Sequence, residues 1–425
     1  MFTNYNKLAE NALNEIKRKG LYRNYPLISQ SPENPPYGFN HKTDEKVIIW
    51  GNNNYLSISS HPDVIKAKIE AIKKYGTGSG GTRNVLGTSD ILNELENRIA
   101  KFHNKEKAVI HNSALDANIG VLSALGKYFP NTIFLSDESN HASIIDGIRA
   151  SGASKYIFRH NDLKDLEKKL IKIRNLSDTR PIIIVLESIY SMSGDIAPLE
   201  KVIELKKKYN AFIYLDEVHA IGVNGKNGSG VASELKLENE IDIICGTFGK
   251  AFGQIGGYIA ANEVLCEFLR HYSRNFIFTT ALPSDVAAAC LAVLNIFESD
   301  EGEVLRSQHK QAVSNTKKYL KEYNIPFLDF GTHIIPVILN DEKRTSKIAL
   351  NLFSNHKIAV TPIFAPTVSV GKARLRINPT PKHTEEMSKD LAIAISNEIK
   401  NNPEILFSNE FVNDNSGGKT NKEII

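Results

Sequence analysis

Seven short apolar runs between about residues 107 and 260 constrain the fold most strongly. In chain order they read KAVIH, TIFLS, KYIFR, PIIIVLE, FIYLDE, DIICGTFG and GGYIAA. Their near-continuous Ile, Val, Leu and Phe content is typical of strands covered on both faces, and helical spacing marks intervening segments such as 162–174 and 200–209. This alternation predicts an α/β protein with a large, doubly wound, mostly parallel sheet. Ligands of such sheets bind beyond the carboxyl ends of the strands, so we expect functional residues directly after the runs.

The 425 residues exceed the usual size of a single hydrophobic core, which predicts more than one domain. After about residue 300 the chain shows a long polar helix, the strand-like runs HIIPVIL and RLRIN, and a last helix starting near Thr384. This order predicts a small α+β domain. We expect an N-terminal arm over 1–50, a large cofactor-binding domain over 51–300, a small domain over 301–405 and a disordered tail over 406–425.

Charge and composition exclude several classes of partner. The 52 basic residues against 48 acidic ones leave a formal charge of +4 without a long basic block, so we expect no nucleic-acid partner. Three cysteines, without CxxC or HExxH spacing, predict neither a disulfide framework nor a metal site. No apolar run reaches the roughly 20 residues of a membrane helix, and the first residues lack the apolar core of a signal peptide. We expect a cytoplasmic protein without a membrane partner.

Two motifs carry the first candidate chemistry. In LDEVH an apolar strand delivers Asp216, which could hold the protonated ring nitrogen of a cofactor, and His219, which could bond a neighbouring oxygen. A loop acid that caps the next helix is the alternative. In GTFGKAFG, small residues around Lys250 would let it reach a buried cofactor aldehyde, and burial would lower its pKa. A surface lysine is the alternative.

Three further motifs are more ambiguous. His141 follows an apolar run and could stack on an aromatic cofactor, or be a structural histidine. The turn GSGGTRN lets backbone approach a ligand, but it lacks the preceding strand and the spacing of a dinucleotide fingerprint. Arg374 and Arg376 share one face of the run RLRIN, where an arginine can bind a substrate carboxylate through two hydrogen bonds. A surface ion pair is the alternative for both arginines.

Together these motifs resemble the α-oxoamine synthase family of fold-type I pyridoxal phosphate enzymes. The motifs that carry the resemblance, over about residues 5 to 400, are GSGGTRN, SDESNHASIIDGIR, FRHND, ESIYSMSGD, YLDEVHAIG, GTFGKAFGQIGGYIAA, FIFTTALP, THIIPV and RLRINPTP. They are most similar to the members that condense glycine with succinyl-CoA, giving 5-aminolevulinate, CoA and carbon dioxide for tetrapyrrole and haem synthesis. The resemblance implies an acyltransferase that binds pyridoxal 5'-phosphate and forms a homodimer with shared active sites.

The resemblance also implies roles for individual residues in cofactor binding. Lys250 resembles the Schiff-base lysine, Asp216 the partner of the ring nitrogen and His141 the ring stacked on the cofactor. His219 and Ser191 would contact the ring hydroxyl. The implied phosphate ligands are Thr247, the backbone amides around Ser113, Ala114 and Leu115, and, from the other subunit, Thr279 and Thr280.

A second set of residues resembles the family's substrate contacts. Arg376, with Asn53 beside it, is similar to the arginine that binds the carboxylate of the amino acid. The succinyl carboxylate would be held by Arg23, Thr82, Asn84 and Thr367. Relatives that use neutral acyl chains generally lack the asparagine, and unpaired polar groups would penalise a neutral tail, so succinyl-CoA is the predicted thioester.

The chain departs from the family pattern at four places. Leu115 replaces an aromatic residue, Ser193 an acid, and Leu92 a histidine, while the lid PTVSVG lacks a proline and a charge at Ser369 and Val370. The altered lid leaves open a sister enzyme that uses another acyl-CoA or amino acid, such as a 2-amino-3-ketobutyrate CoA ligase or an 8-amino-7-oxononanoate synthase. A catalytically inert binding subunit is the alternative from another class.

Overall fold

The computed structural model describes residues 4–176 and 179–403, so the predicted tail over 406–425 lies outside the described residues. The N-terminal segment begins with a helix without buried residues and continues as three short strands. These elements are α1 (Tyr5–Arg18), β1 (Ile28–Gln30), β2 (Tyr37–Asn40) and β3 (Glu45–Ile49).

Strands and helices alternate through the middle of the chain. The elements are α2 (Pro62–Tyr75), α3 (Asp90–Phe102), β4 (Lys107–His111), α4 (Ala114–Tyr128), β5 (Ile133–Asp137), α5 (Ala142–Ser151), β6 (Ser154–Phe158), α6 (Leu163–Leu176), β7 (Ile182–Glu187), α7 (Leu199–Lys208), β8 (Phe212–Asp216), α8 (Val231–Glu234), β9 (Ile243–Thr247), β10 (Gly257–Ala261), α9 (Glu263–Tyr272), α10 (Arg274–Ile277) and α11 (Ser284–Phe297). Each of the seven apolar runs forms one strand of this region.

These seven strands form a single sheet in the order β4-β10-β9-β8-β7-β5-β6. The pairs β9-β8, β8-β7, β7-β5 and β5-β6 are parallel, whereas β10 is antiparallel to both β4 and β9. The prediction of an α/β fold with a mostly parallel sheet is therefore confirmed.

The continuous apolar runs follow from burial of both faces of this sheet. In β7, Ile183 and Val185 join one buried cluster, while Ile184 and Leu186 join another. Successive side chains of a strand point to opposite faces, so a strand covered by helices on both sides needs apolar residues at every position. The sheet is thereby a rigid platform whose carboxyl edge can hold polar side chains.

The C-terminal part has its own core and sheet. Its elements are α12 (Asp300–Glu322), β11 (Ile335–Asn340), α13 (Glu342–His356), β12 (Ile358–Ala359), β13 (Thr361–Ile363), β14 (Ala373–Ile377) and α14 (Glu385–Asn401). The strands β11-β14-β13 form an antiparallel sheet. The side chain of Thr384 caps α14 by accepting from the Met387 amide.

The N-terminal strands connect to this C-terminal part. Strand β3 pairs in parallel with β12, which gives a four-stranded sheet in the order β1-β2-β3-β12. The following residue, Trp50, is fully buried in the C-terminal core, and its amide donates to the carbonyl of Ala359 at 2.8 Å. These contacts fix the position of the chain at residue 50, where the N-terminal segment meets the C-terminal part.

Within the described ranges, none of the helices combines the length and the apolar character that a bilayer crossing requires.

Candidate active site

Three polar residues end neighbouring strands of the large sheet. Glu187, Asp216 and Thr247 are the last residues of β7, β8 and β9, and all three are buried. Glu187 lies in register with Asp216, which in turn lies in register with Cys245. The parallel strands thus bring these groups side by side at the edge where ligands of such sheets bind.

The Asp216 carboxylate is held by two donors. The amide of the Asn118 side chain, from α4, donates to Oδ2 at 2.9 Å, and the backbone amide of Val218 donates to Oδ1 at 3.0 Å. Asn118 also donates to Ser143 Oγ at 3.0 Å and accepts from the Tyr214 hydroxyl at 2.6 Å. Because every polar group of Asn118 is used, the orientation of the acid is fixed before any ligand binds.

Lys250 follows β9 and is half-buried beside this acid. Burial lowers the pKa of its ammonium group, Asp216 opposes that effect, and the positive charge of Arg376 adds to it. No side-chain hydrogen bond joins Lys250 to another residue of 4–176 or 179–403. An amine with a lowered pKa and no partner is available as a nucleophile and as a base.

His141 precedes α5 and is exposed at the same edge. Its Nδ1 accepts from the Ser143 amide at 3.2 Å and lies 2.8 Å from Ser143 Oγ, while its own backbone amide donates to Glu187 at 2.6 Å. Burial raises the pKa of Glu187 well above its usual range, and the charge of Asp216 raises it further. Ser143 therefore links the ring of His141 to the Asn118–Asp216 pair.

Arg376, on β14, gathers residues from three parts of the chain. Its Nη1 donates to Asn53 Oδ1 at 2.9 Å, and its Nη2 donates to the Tyr55 hydroxyl at 2.9 Å. That hydroxyl lies 2.8 Å from His219 Nδ1. Burial lowers the pKa of His219 well below its usual value, so the ring is neutral. Its Nδ1 can therefore accept a hydrogen bond from the Tyr55 hydroxyl. The Nε of Arg376 is buried and has no hydrogen-bond partner among the described residues.

The N-terminus of α4 provides the predicted anion site. Ser113 caps this helix, whose first residues are Ala114 and the exposed Leu115. Strand β10 packs so closely against the cap that a Cβ added to Gly257 would lie 2.3 Å from the Ala114 amide nitrogen. Thr247 lies in register with Gly257 on the adjacent strand. Free amides and the helix dipole favour a phosphate at this position.

Thr279 and Thr280, which are predicted to bind the phosphate of another subunit, lie beside the GTRN turn and the α4 cap. Thr82 forms a β-bridge with Thr280, and its hydroxyl donates to Asn84 Oδ1 at 2.5 Å. Asn112, one residue before the α4 cap, donates to Thr279 Oγ1 at 3.0 Å and to the Thr280 carbonyl at 2.7 Å. Whether these residues act in a second subunit stays a prediction.

The other two residues predicted to hold the succinyl carboxylate, Arg23 and Thr367, lie at the lid. Arg23 Nη2 donates to the Ala365 carbonyl at 3.3 Å, and Thr367, two residues further on, is exposed. No hydrogen bond between described residues joins Arg23 or Thr367 to Thr82 or Asn84. Thr82 and Asn84 instead contact each other and the Thr280 segment.

The positions that depart from the family pattern have ordinary surroundings. Ser191 and Ser193 lie on the loop after β7, where Ser191 is buried and Ser193 donates to the Asp195 carboxylate. Leu92 is buried in the core along α3, whereas Val370 in the lid is 75% exposed. None of these contacts disturbs the hydrogen bonds around Asp216 described above.

Three residues of the site are not indicated by the sequence motifs. Glu187 ends its strand as Asp216 does, so the rule about carboxyl ends could have found it. Tyr55 belongs to the polar segment NNNYL, which gives only a weak signal. Asn118 lies inside a helix, and its three contacts come from separate parts of the chain, so no local pattern indicates it.

The arrangement fits the pyridoxal phosphate that the resemblance implies. The unpartnered amine of Lys250 would bind the aldehyde, Asp216 would hold the ring nitrogen, and the α4 N-terminus would bind the phosphate. A reactive lysine and a strand-end acid on this sheet define a fold-type I pyridoxal phosphate enzyme.

Comparison with known proteins narrows the class. Residues 45–395 match the family described as aminotransferase class I and II. A 5-aminolevulinate synthase of Rickettsia bellii is 44% identical, over 92% of this chain and 93% of that protein. One of Bradyrhizobium diazoefficiens is 39% identical, over 92% and 95%. A solved serine palmitoyltransferase of S. paucimobilis with PLP-myriocin bound has a TM-score of 0.84 at 28% identity, covering 93% of this chain and 97% of that one. The chain belongs to the α-oxoamine synthases of the class I and II aminotransferase family.

Proposed function

We propose that this enzyme condenses glycine with succinyl-CoA and releases 5-aminolevulinate, CoA and carbon dioxide. The relatives named 5-aminolevulinate synthase support this reaction, and the product is a precursor for tetrapyrrole and haem synthesis. The cofactor is pyridoxal 5'-phosphate, which supplies an electron sink for a carbanion at the glycine α-carbon.

The residues of the site divide the work of this reaction. Arg376 and Asn53 hold the glycine carboxylate, which orients the α-carbon. Lys250 takes the α-proton on its Nζ, and its lowered pKa makes the neutral amine more available. Asp216, fixed by Asn118, stabilises the proton on the cofactor ring nitrogen. The glycine α-carbon then bonds to the acyl carbonyl carbon as the thioester C–S bond breaks, and CoA leaves as the thiol. The former glycine carboxyl group leaves as carbon dioxide, and a proton takes its place on the α-carbon.

The observation that carries the choice of succinyl-CoA is the position of Arg23 at the lid. Its guanidinium donates to the Ala365 carbonyl at 3.3 Å and remains exposed, so it can reach an anionic acyl tail near Thr367. The exposed Val370 in the same lid favours, as a second candidate, a sister enzyme that accepts a less polar acyl chain. The two candidates share the chemistry and differ in the thioester.

A panel of thioesters tests the proposal. The purified protein, loaded with pyridoxal phosphate, is mixed with glycine and succinyl-CoA, acetyl-CoA, butyryl-CoA or a longer acyl-CoA. Thiol release and aminoketone formation are measured in parallel. We expect turnover with succinyl-CoA to exceed that with each neutral thioester. A preference for a neutral thioester would contradict the proposal and support the sister enzyme.

We propose that the working form is a homodimer with shared active sites. The family of the chain supports this, because the resemblance to it implies active sites at a subunit interface. The apolar residue Leu86, beside the Thr82 turn, is 97% exposed, which also favours a partner surface there. Sedimentation should give about twice the chain mass of 47.3 kDa.

The proposed location is the cytoplasm. The bacterial relatives and the composition of the chain support it. The cysteines Cys245, Cys266 and Cys290 are all free and buried, as expected in a reducing compartment. A fractionated cell extract probed for the protein tests this location.

A further inference from the structure

Arg83 is a buried part of the GTRN turn that the proposed reaction does not use. Its side chain is 5% exposed, and that of Glu96, on α3, is 3% exposed. The two Nη atoms of Arg83 donate to the two carboxylate oxygens of Glu96 at 2.9 and 3.0 Å. Arg270, on α9, donates to the same carboxylate at 2.6 Å. One buried acid thus binds two arginines, and we name these three residues the Arg83 triad.

The triad connects the turn to the framework of the large sheet. The Glu96 carboxylate accepts from the backbone amide of Ile110, on β4, at 3.1 Å. Within the turn, Arg83 Nε donates to Thr88 Oγ1 at 3.2 Å, and the Thr88 hydroxyl donates to the Arg83 carbonyl at 2.7 Å. A guanidinium with two parallel bonds accepts only one orientation of its partner, so the turn is fixed from its inner side.

The residues on either side of Arg83 are less buried, with Thr82 half-buried and Asn84 exposed. Thr82 contacts Asn84 and Thr280. Beyond them, Leu86 has a positive φ of 58°. Because the buried Arg83 lies between Thr82 and Asn84, its hydrogen bonds to Glu96 also fix the positions of these two polar residues.

We propose that the Arg83 triad determines acyl selectivity by positioning Thr82 and Asn84 for the terminal carboxylate of a dicarboxylic acyl-CoA. This inference rests on the proposed function. Arg83, Glu96 and Arg270 are positioning residues, since their contacts reach the thioester only through the turn. Displacement of the turn by a fraction of an ångström weakens hydrogen bonds to the acyl carboxylate and leaves the glycine end unchanged.

The test compares two conservative variants with a matched control. Arg83→Lys keeps the charge but loses the paired hydrogen bonds, and Glu96→Gln keeps the shape but loses the charge. The control is Arg98→Lys, on the same helix, where Arg98 pairs with Glu298 at 2.9 Å away from the turn. For each protein loaded with cofactor, KM and kcat are measured with glycine, succinyl-CoA and butyryl-CoA. Calorimetry measures binding of both thioesters without turnover.

We expect Arg83→Lys and Glu96→Gln to raise KM and Kd for succinyl-CoA about tenfold, with the glycine KM and the butyryl-CoA values within about twofold of wild type. The control should match wild type. An unchanged preference for succinyl-CoA, or an equal loss for both thioesters, would overturn the inference while the proposed function stands. If wild type itself shows no preference for succinyl-CoA, the proposed function and the inference both fail. Should one variant not fold, the other decides.

Discussion

The proposed glycine end of the site, at Arg376 and Asn53, and the proposed acyl end, at Arg23 and Thr367, differ in how firmly their contacts fix them. At the glycine end Arg376 is 7% exposed and bonded to Asn53 and Tyr55, each at 2.9 Å. At the acyl end Arg23 is exposed and makes one bond of 3.3 Å to a backbone carbonyl. The first is preorganised by packing between the N-terminal segment and β14, whereas the second depends on a lid.

This difference has a chemical reason. Selection of the α-bond that breaks requires a fixed carboxylate, since small errors in orientation cost much of the rate. The thioester must enter and CoA must leave, so the acyl end needs a segment that moves. Rigid contacts therefore belong at the glycine end, and substitutions at the two ends should act on different kinetic constants.

Replacement of Arg376 should have the largest effect among the substrate contacts. We expect Arg376→Leu to raise the glycine KM about 100-fold, because it removes both the buried charge paired with the carboxylate and the donor to Asn53 and Tyr55. The succinyl-CoA KM should change little. Steady-state kinetics checks this, with Arg374→Leu as control, since Arg374 donates to the Met192 carbonyl instead. Equal effects of the two variants would contradict the role of Arg376.

Replacement of Arg23 should weaken the binding of succinyl-CoA and leave the binding of glycine unchanged. We expect Arg23→Leu to raise the succinyl-CoA KM about thirtyfold and to spare acetyl-CoA, because only the dicarboxylic tail carries a charge for the arginine. Competition between the two thioesters at fixed glycine measures the ratio directly. A similar rise in KM for both thioesters would show that Arg23 holds the lid but does not distinguish the acyl groups.

Replacement of Asn118 tests the preorganisation of the glycine end. Asn118→Leu removes the donor to Asp216 Oδ2, so we expect kcat to fall about tenfold and the pH midpoint of the cofactor absorbance to shift. Tyr214→Phe is the control, since it removes only the hydroxyl that orients Asn118 and should have a smaller effect. An unchanged absorbance titration would exclude a role for Asn118 in positioning the acid.

The stability of the protein should depend on pH through His160, which contacts the loop after β7. This ring lies 2.8 Å from Asp137 and 2.6 Å from Asp195, which belongs to the loop that carries Ser191. Burial alone lowers the pKa of His160, but hydrogen bonds to the two acids raise it from 6.5 to about 10. A raised folded-state pKa stabilises the protein fully below about 6.5, and this contribution is lost as pH rises towards 10.

Urea unfolding of wild type and His160→Gln at several pH values measures this contribution. We expect the difference in the free energy of unfolding to be about 2 kcal/mol at pH 6, after allowance for partial exposure, and to vanish above about pH 10. His271→Gln is the control, because His271 pairs with Glu267 on the surface. A difference that does not change with pH would contradict this account.

The sequence predicts the large sheet well because continuous apolar runs and their spacing are local signals. It also indicates Asp216 and Lys250, since each follows its own strand. The pairing of β3 with β12 joins segments about 310 residues apart, and no local pattern specifies such a pairing. The sequence does not indicate Asn118 for the same reason, because its partners Asp216 and Ser143 come from separate elements.

The activity of mixed dimers tests most directly whether one active site takes Lys250 from one chain and Asn84 from the other. Lys250→Ala removes the base, and Asn84→Asp places a negative charge against the succinyl carboxylate, so each variant alone should be nearly inactive with succinyl-CoA. Coexpression and purification of the mixed dimer should restore activity, because one site then contains both Lys250 and Asn84 from different chains. Activity that stays at the level of the separate variants would contradict shared sites.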